Sequence, residues 1–171
     1  MKTLFVRIAA VVAGLCLNLA CAAGPQHDAL PVAFFRLPLQ HAIKTVHGNG
    51  ARKIVVFSDP DCPYCMLLER DTLNNMDNIT IYTFLFPLDR HSDAARKAGL
   101  IWCAADRARA WRDWTTAGLL PVPELCLPPL KANLALGQRL GVRATPTLLL
   151  PQGEMIMGAI DQATLESKLG N

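Results

Sequence analysis

The 171-residue chain has little of what marks a metalloprotein, a nucleic-acid binder or a membrane protein. It holds a single Cys-x-x-Cys pair, whereas a four-cysteine zinc site uses two such knuckles. His27, His41, His47 and His91 fall at no paired ligand spacing and are expected at the surface or in loops. No metal and no other cofactor is therefore expected. Charge is nearly balanced, +3 overall and +1 once Lys2 and Arg7 are discounted, so there is no bulk electrostatic case for nucleic acid or an anionic membrane. The apolar stretch at residues 8–20 is broken by Asn18 and falls short of the ~20 residues that span a bilayer. Internal repeats and low-complexity tracts are absent too, which excludes solenoids and fibrous folds.

What that first stretch does have is the form of an export signal. Lys2 and Arg7 precede the apolar segment, and Ala20-Cys21-Ala22 has the small-x-small pattern of a cleavage site. A signal peptide is expected over residues 1–22, cleaved after Ala22 or Ala23. Lipid attachment at Cys21 is disfavoured by Asn18, which stands where a leucine is preferred. Removal of the signal leaves Cys62, Cys65, Cys103 and Cys126, an even set destined for an oxidising compartment, and this favours disulfide chemistry over metal binding. About 150 residues remain, enough for one domain with its own core. A short irregular segment at 23–36, containing Pro25 and Pro31, is expected to lead into a single unit at 37–171.

Within that unit the informative stretch is Cys62-Pro63-Tyr64-Cys65, which directly follows the apolar run Ile54-Val55-Val56-Phe57. The run lacks alternation and reads as a strand at 53–58 covered on both faces. A helix at 62–74 follows, with Pro63 tolerated in its first turn. Cysteines at i and i+3 share one face of a helix, so their sulfurs can close a small ring. Unpaired amides and the positive end of the helix dipole at the helix start favour an exposed, readily ionised thiolate at Cys62. Pro63 and Tyr64 are expected to tune that thiolate.

The remaining elements follow from period and punctuation. A short strand is expected at 42–46, closed by Gly48-Asn49-Gly50, and another at 79–86, stopped by Pro87. A helical pattern runs over 92–117, with Ser92 as its N-cap and Ala98, Ile101, Ala105 and Ala108 on one face. A Pro-rich loop leads to a helix at 130–140 that Gly141 terminates. The chain ends as strand (147–150), turn (Pro151-Gln152-Gly153), strand (154–157) and helix (162–169). Arg107, Arg109 and Arg112 alternate with Asp106 and Asp113 as a solvated helix face does. Trp102, Trp111 and Trp114 are expected to pack rather than stack on a ligand.

The order of elements resembles the thioredoxin fold, an α/β architecture with a central mixed sheet and flanking helices, here with a helical insertion at about 91–141 before the Thr145-Pro146-Thr147 strand. The motifs Phe57-Ser58-Asp59-Pro60-Asp61-Cys62-Pro63-Tyr64-Cys65, Ser92-Asp93-Ala94, Ile101-Trp102-Cys103-Ala104, Leu136-Gly137 and Ala144-Thr145-Pro146-Thr147 resemble the periplasmic disulfide isomerases of the DsbC/DsbG family. The resemblance implies that Cys62 attacks, that Cys65 resolves, and that the Thr145–Pro146 bond is cis and, with its neighbours, receives an extended substrate segment. Val56 stands six residues before Cys62, where reducing thioredoxins place an aspartate, which argues against a dedicated reductase.

For Cys103 and Cys126, a second redox pair, zinc ligation and a structural disulfide are all conceivable. The resemblance favours the disulfide, as does their placement in a helix and a Pro-rich loop. Closing about 24 residues contributes about 3 kcal/mol in the chain-entropy account.

The resemblance further implies an exported, periplasmic thiol–disulfide oxidoreductase, isomerase-like, that acts on cysteine-bearing protein or peptide substrates and exchanges electrons with a redox partner in the envelope. Proteins of that family carry an amino-terminal dimerisation domain, and only about fifteen residues precede the catalytic unit here, so a monomer is expected. A thiol oxidase for few clients and a non-catalytic peptide-binding assembly factor are the alternatives.

Overall fold

The apolar run of the sequence becomes the middle of a five-stranded sheet. In the computed structural model, which describes residues 36–170, strand β2 (Arg52–Ser58) pairs parallel with β3 (Ile79–Leu85) and antiparallel with β4 (Thr147–Leu149). Strand β1 (Ile43–His47) lies antiparallel on β3 and β5 (Met155–Met157) antiparallel on β4, giving the order β1-β3-β2-β4-β5. The signal peptide expected at 1–22, His27 and nearly all of the 23–36 segment lie outside the described residues.

Ile54, Val55, Val56 and Phe57 are each 0% exposed, which is why the strand shows no alternation in sequence. One face of the sheet, with Ile54, Val56, Ile81 and Leu148, is covered by Leu68 of α1 (Pro63–Asp71) and Leu165 of α5 (Gln162–Leu169). The other face, with Val55, Phe57, Phe84 and Leu149, meets Leu136 of α4 (Leu130–Leu140). Helices α2 (Ala94–Trp102) and α3 (Arg107–Ala117) close the β1 side through Ile101, Trp102, Ala110 and Trp111 packed with Ile43 and Leu85. Thus α2, α3 and α4 form the helical insertion between β3 and β4.

Two glycines fix α4. Gly141 caps it at φ +80°, a backbone conformation that costs a side-chain-bearing residue dearly. A Cβ on Gly137 would lie 2.4 Å from the Phe86 ring, so only glycine lets α4 approach the sheet this closely.

The helical pattern at 92–117 is two helices rather than one. Cys103 ends α2, and its carbonyl accepts from Glu124 N–H at 2.7 Å instead of continuing the helix. Asp106 then restarts the chain as the N-cap of α3, its side chain accepting from Arg109 N–H at 2.9 Å. Ala105, periodic in sequence, is consequently exposed. Nor does Ser92 cap α2: the N-cap position is Asp93, whose carboxylate pairs with Arg96 instead of a helix amide. Helix α1 stops at Asp71, and the rest of the stretch expected to be helical forms a separate 3-10 turn at Leu73–Asn75.

Candidate active site

Strand β2 carries the chain to a tight turn at residues 59–61 and onto α1, whose N-cap is Cys62 and whose first residue is Pro63. The proline sits where its missing N–H has no intrahelical partner to lose. Cys62 Sγ lies 3.2 Å from the backbone oxygen of Thr145, and the Thr145–Pro146 peptide bond is cis. Sequence distance between the two motifs thus closes to a single contact. Cys62 is only 2% exposed, so the sulfur occupies a crevice rather than the open position expected of it. Tyr64, in contrast, is 63% exposed beside it.

The two thiols, both free, are driven apart electrostatically. A hydrogen bond from the Cys65 thiol is the largest influence on Cys62. Against the opposing cost of burial, it acts with the Thr145 hydroxyl and the backbone N–H groups of Cys65 and Tyr64 to hold the Cys62 thiol down at about 5. Thr145 Oγ1 is buried with no partner in the dithiol form, which leaves its hydroxyl free to donate to a thiolate. Burial, first, and the neighbouring Cys62, second, push the Cys65 thiol up, while Ser58 and the Asp59 amide act the other way. Ser58 Oγ also lacks a geometric partner, and Asp59 N–H lies 3.4 Å from Cys65 Sγ. The surroundings therefore favour the thiolate at Cys62 and the thiol at Cys65.

Three side chains, those of Asp59, Trp114 and Lys97, brace the turn before Cys62. Buried Asp59 accepts from Asp61 N–H at 2.7 Å, from Leu88 N–H at 2.7 Å and from His91 Nδ1 at 2.8 Å. Trp114 Nε1 donates to Pro60 O at 2.7 Å, and Lys97, whose ammonium sits 4.8 Å from the Trp114 ring centroid, pairs with Asp61. Sequence reasoning placed His91 at the surface or in a loop and Trp114 in packing; His91 is in a loop, but its bond to Asp59 was missed, as were Lys97 and the Thr145 hydroxyl. A charged residue directly after a buried strand was the available cue for Asp59.

Beyond the sulfurs, Pro146 O accepts from Gly158 N–H at 2.8 Å, tying the cis-proline loop to the segment before α5. Cys103 and Cys126 are bonded to each other, with Cα atoms 5.6 Å apart. Arg107, Arg109 and Arg112 are exposed, with Arg107 stacked 4.0 Å from the Trp102 ring centroid.

Known proteins share this fold. The model of the thioredoxin-like domain family matches residues 39–171. The chain belongs to that family. Among its thioredoxin-like relatives, the probable thiol:disulfide interchange protein DsbC of Bordetella parapertussis is 45% identical over 138 residues, 81% of this chain and 49% of that protein. DsbC of Escherichia coli K12 is 37% identical over 109 residues, 61% of this chain and 45% of its own length. The chain spans about half the length of the curated relatives it matches. A crystal structure of a disulfide interchange protein from Neisseria gonorrhoeae superposes with a TM-score of 0.74 at 43% identity, covering 78% of this chain and 96% of that one. Among the described residues of this thioredoxin-like chain, no helix is long and apolar enough to cross a membrane.

Proposed function

We propose that the protein is a DsbC-like thiol–disulfide oxidoreductase acting on the cysteines of exported proteins. The observation that carries this reading is the divided pair: a Cys62 thiol held at about 5 against the Thr145–Pro146 loop, and a Cys65 thiol kept protonated behind it. In the reducing direction the Cys62 thiolate attacks one sulfur of a client disulfide, forming a Cys62–client bond and expelling the other client sulfur as a thiolate. Cys65 then loses its proton and attacks Cys62 Sγ, the client leaves reduced, and the protein holds the Cys62–Cys65 disulfide. Isomerisation follows when the expelled client thiolate attacks a different client sulfur before Cys65 acts. Val56, six residues before Cys62 where reducing thioredoxins carry an acid, supports exchange over dedicated reduction.

Backbone groups at Thr145, beside a proline that cannot donate, are suited to an extended client segment. The resemblance to DsbC and the signal-like segment at 1–22 support a periplasmic location and an envelope redox partner. Rapid alkylation of the reduced protein across pH 3–10 tests the chemistry. Modification of Cys62 is expected to titrate near pH 5, and a midpoint near that of an ordinary thiol overturns the reading. A Cys65→Ala variant expressed in cells is expected to accumulate Cys62–client conjugates, whose identification names the clients.

A further inference from the structure

Asp59 is the most heavily bonded buried charge at the site, and the exchange chemistry as described makes no use of it. Its carboxylate is fully buried and takes three short hydrogen bonds, two from the backbone amides of Asp61 and Leu88 and one from His91 Nδ1. Those amides can only donate and an ionised carboxylate can only accept, so with Asp59 ionised His91 Nδ1 carries the proton. Leaving one of these donors absent strands a buried charge, which is the expensive direction of error. The other end of the same residue reaches the chemistry, because Asp59 N–H is the backbone group 3.4 Å from Cys65 Sγ. His91 itself belongs to the loop after β3, closed by its own N–H on Leu88 O at 2.9 Å, and its side chain is 20% exposed. A loop 32 residues downstream therefore holds the residue that touches the resolving sulfur.

We propose that His91 is a positioning residue for the second half of the exchange. By fixing the Asp59 carboxylate it keeps the Asp59 amide on Cys65 Sγ, where the N–H favours the thiolate that must form when Cys65 resolves the mixed disulfide. In that step the Cys65 thiol gives its proton to solvent, a bond forms between Cys65 Sγ and Cys62 Sγ, and the Cys62–client bond breaks. The client sulfur departs with the electron pair and is protonated by solvent; the client has gained two electrons and the cysteine pair has lost two. The first attack depends instead on groups around Cys62, namely Thr145, Cys65 and the helix amides. The inference rests on the assignment of Cys62 as attacker and Cys65 as resolver.

Ellman's reagent separates the two steps. One thionitrobenzoate is released when Cys62 attacks, and a second when Cys65 displaces the mixed disulfide. His91→Ala is expected to leave the first phase within about twofold of wild type and to slow the second by more than about tenfold, the size of one lost charge-assisted hydrogen bond. His91→Gln, which still presents an N–H, is expected to restore most of the second phase, and melting curves on the same samples report any general loosening. Should His91→Ala fail to fold, His91→Leu, which fills the space without an N–H, carries the same expectation. An unchanged second phase, equal slowing of both phases, or a glutamine no better than alanine overturns the proposal. A wild-type protein that releases only one equivalent overturns the attacker–resolver assignment itself.

Discussion

The described residues hold two cysteine pairs of opposite character, and burial at Cys103 is much like that of the free pair. Cys62 is 2% exposed and Cys65 0%, while Cys103 is 8% exposed, yet the first two are free thiols and Cys103 is bonded to Cys126. The difference lies in what surrounds each sulfur. Around Cys62 converge a helix start, a hydroxyl without another partner and a second thiol, all of which stabilise negative charge. Cys103 instead ends α2, with its carbonyl held by Glu124 and its sulfur tied to the loop that Glu124 begins to close. In the proposed function one pair changes state, while the other pins a loop that has little core of its own: Val122, Leu125 and Leu127 are 92%, 105% and 95% exposed.

Removing the reactive sulfur is the most severe way to break the contrast. Cys62→Ser is expected to reduce disulfide exchange to the uncatalysed background while leaving the circular dichroism spectrum intact. It should also change how the reduced fold responds to pH. A thiol lowered from 9.0 to about 5 gives stability that is complete above pH 9 and is lost as pH falls towards 5. Denaturant titrations of the reduced protein at several pH values are expected to show that slope in wild type and a flatter one in the serine variant.

Removing the other pair should do the reverse. Cys103→Ala with Cys126→Ala releases a crosslink between residues 23 apart, and the chain-entropy account assigns it about 3 kcal/mol. A fall in melting temperature of roughly 10 °C is expected. Both phases of Ellman's release should be unchanged below the new transition. Loss of exchange at 25 °C in a folded double variant would mean that the stapled loop contributes to the chemistry.

How far each pair could be read from sequence differs in an instructive way. Strand β2, helix α4 with its Gly141 cap, and the closing hairpin and α5 follow from local pattern, because burial on both faces, a positive φ and a turn leave marks within a few residues. The Cys62-x-x-Cys65 placement is legible for the same reason. The cis-proline partner came from family resemblance, since nothing local distinguishes a cis bond at Thr145–Pro146. What escaped was long-range: His91 meets Asp59 across 32 residues and Trp114 meets Pro60 across 54, and periodicity carries no information at such separations. The break between α2 and α3 is hidden because the alanine pattern runs on through it, and Asp106, alternating with arginines, reads as part of a solvated face although it is the cap of α3.

Glu69 lies at the seam between the two regions, one turn beyond Cys65 on α1 and bonded by Trp111 Nε1 of α3 at 2.8 Å. Burial pushes its carboxyl up to about 7 from an ordinary 4.5, with the Trp111 bond working against that rise. A raised acid stabilises the fold below pH 4.5, and that contribution is lost as pH rises through 7, opposite in sign to Cys62. Glu69→Gln keeps an acceptor for Trp111 and removes the titration. It is expected to match wild type near pH 4 and to gain on the order of 1–3 kcal/mol relative to it by pH 8. A constant difference at both pH values would locate the effect in packing rather than in the buried charge.

The mildest separation of the two regions is at Asp106. Its carboxylate satisfies the Arg109 amide at the start of α3, only three residues after Cys103 and away from the reactive pair. Asp106→Ala is expected to cost about 1 kcal/mol, the usual worth of an N-cap, because the orphaned amide is then left to water. Asp106→Asn, which keeps an acceptor oxygen, should recover most of it. Since α3 also carries Trp114 to Pro60, fraying of its first turn could reach the turn before Cys62, but the Trp114 bond lies two turns further along the helix. The Cys62 alkylation midpoint is therefore expected to stay near pH 5 in the alanine variant. A shift in that midpoint would mean that the stapled and reactive regions are one electrostatic unit, and the contrast between the two cysteine pairs would have to be redrawn around α3.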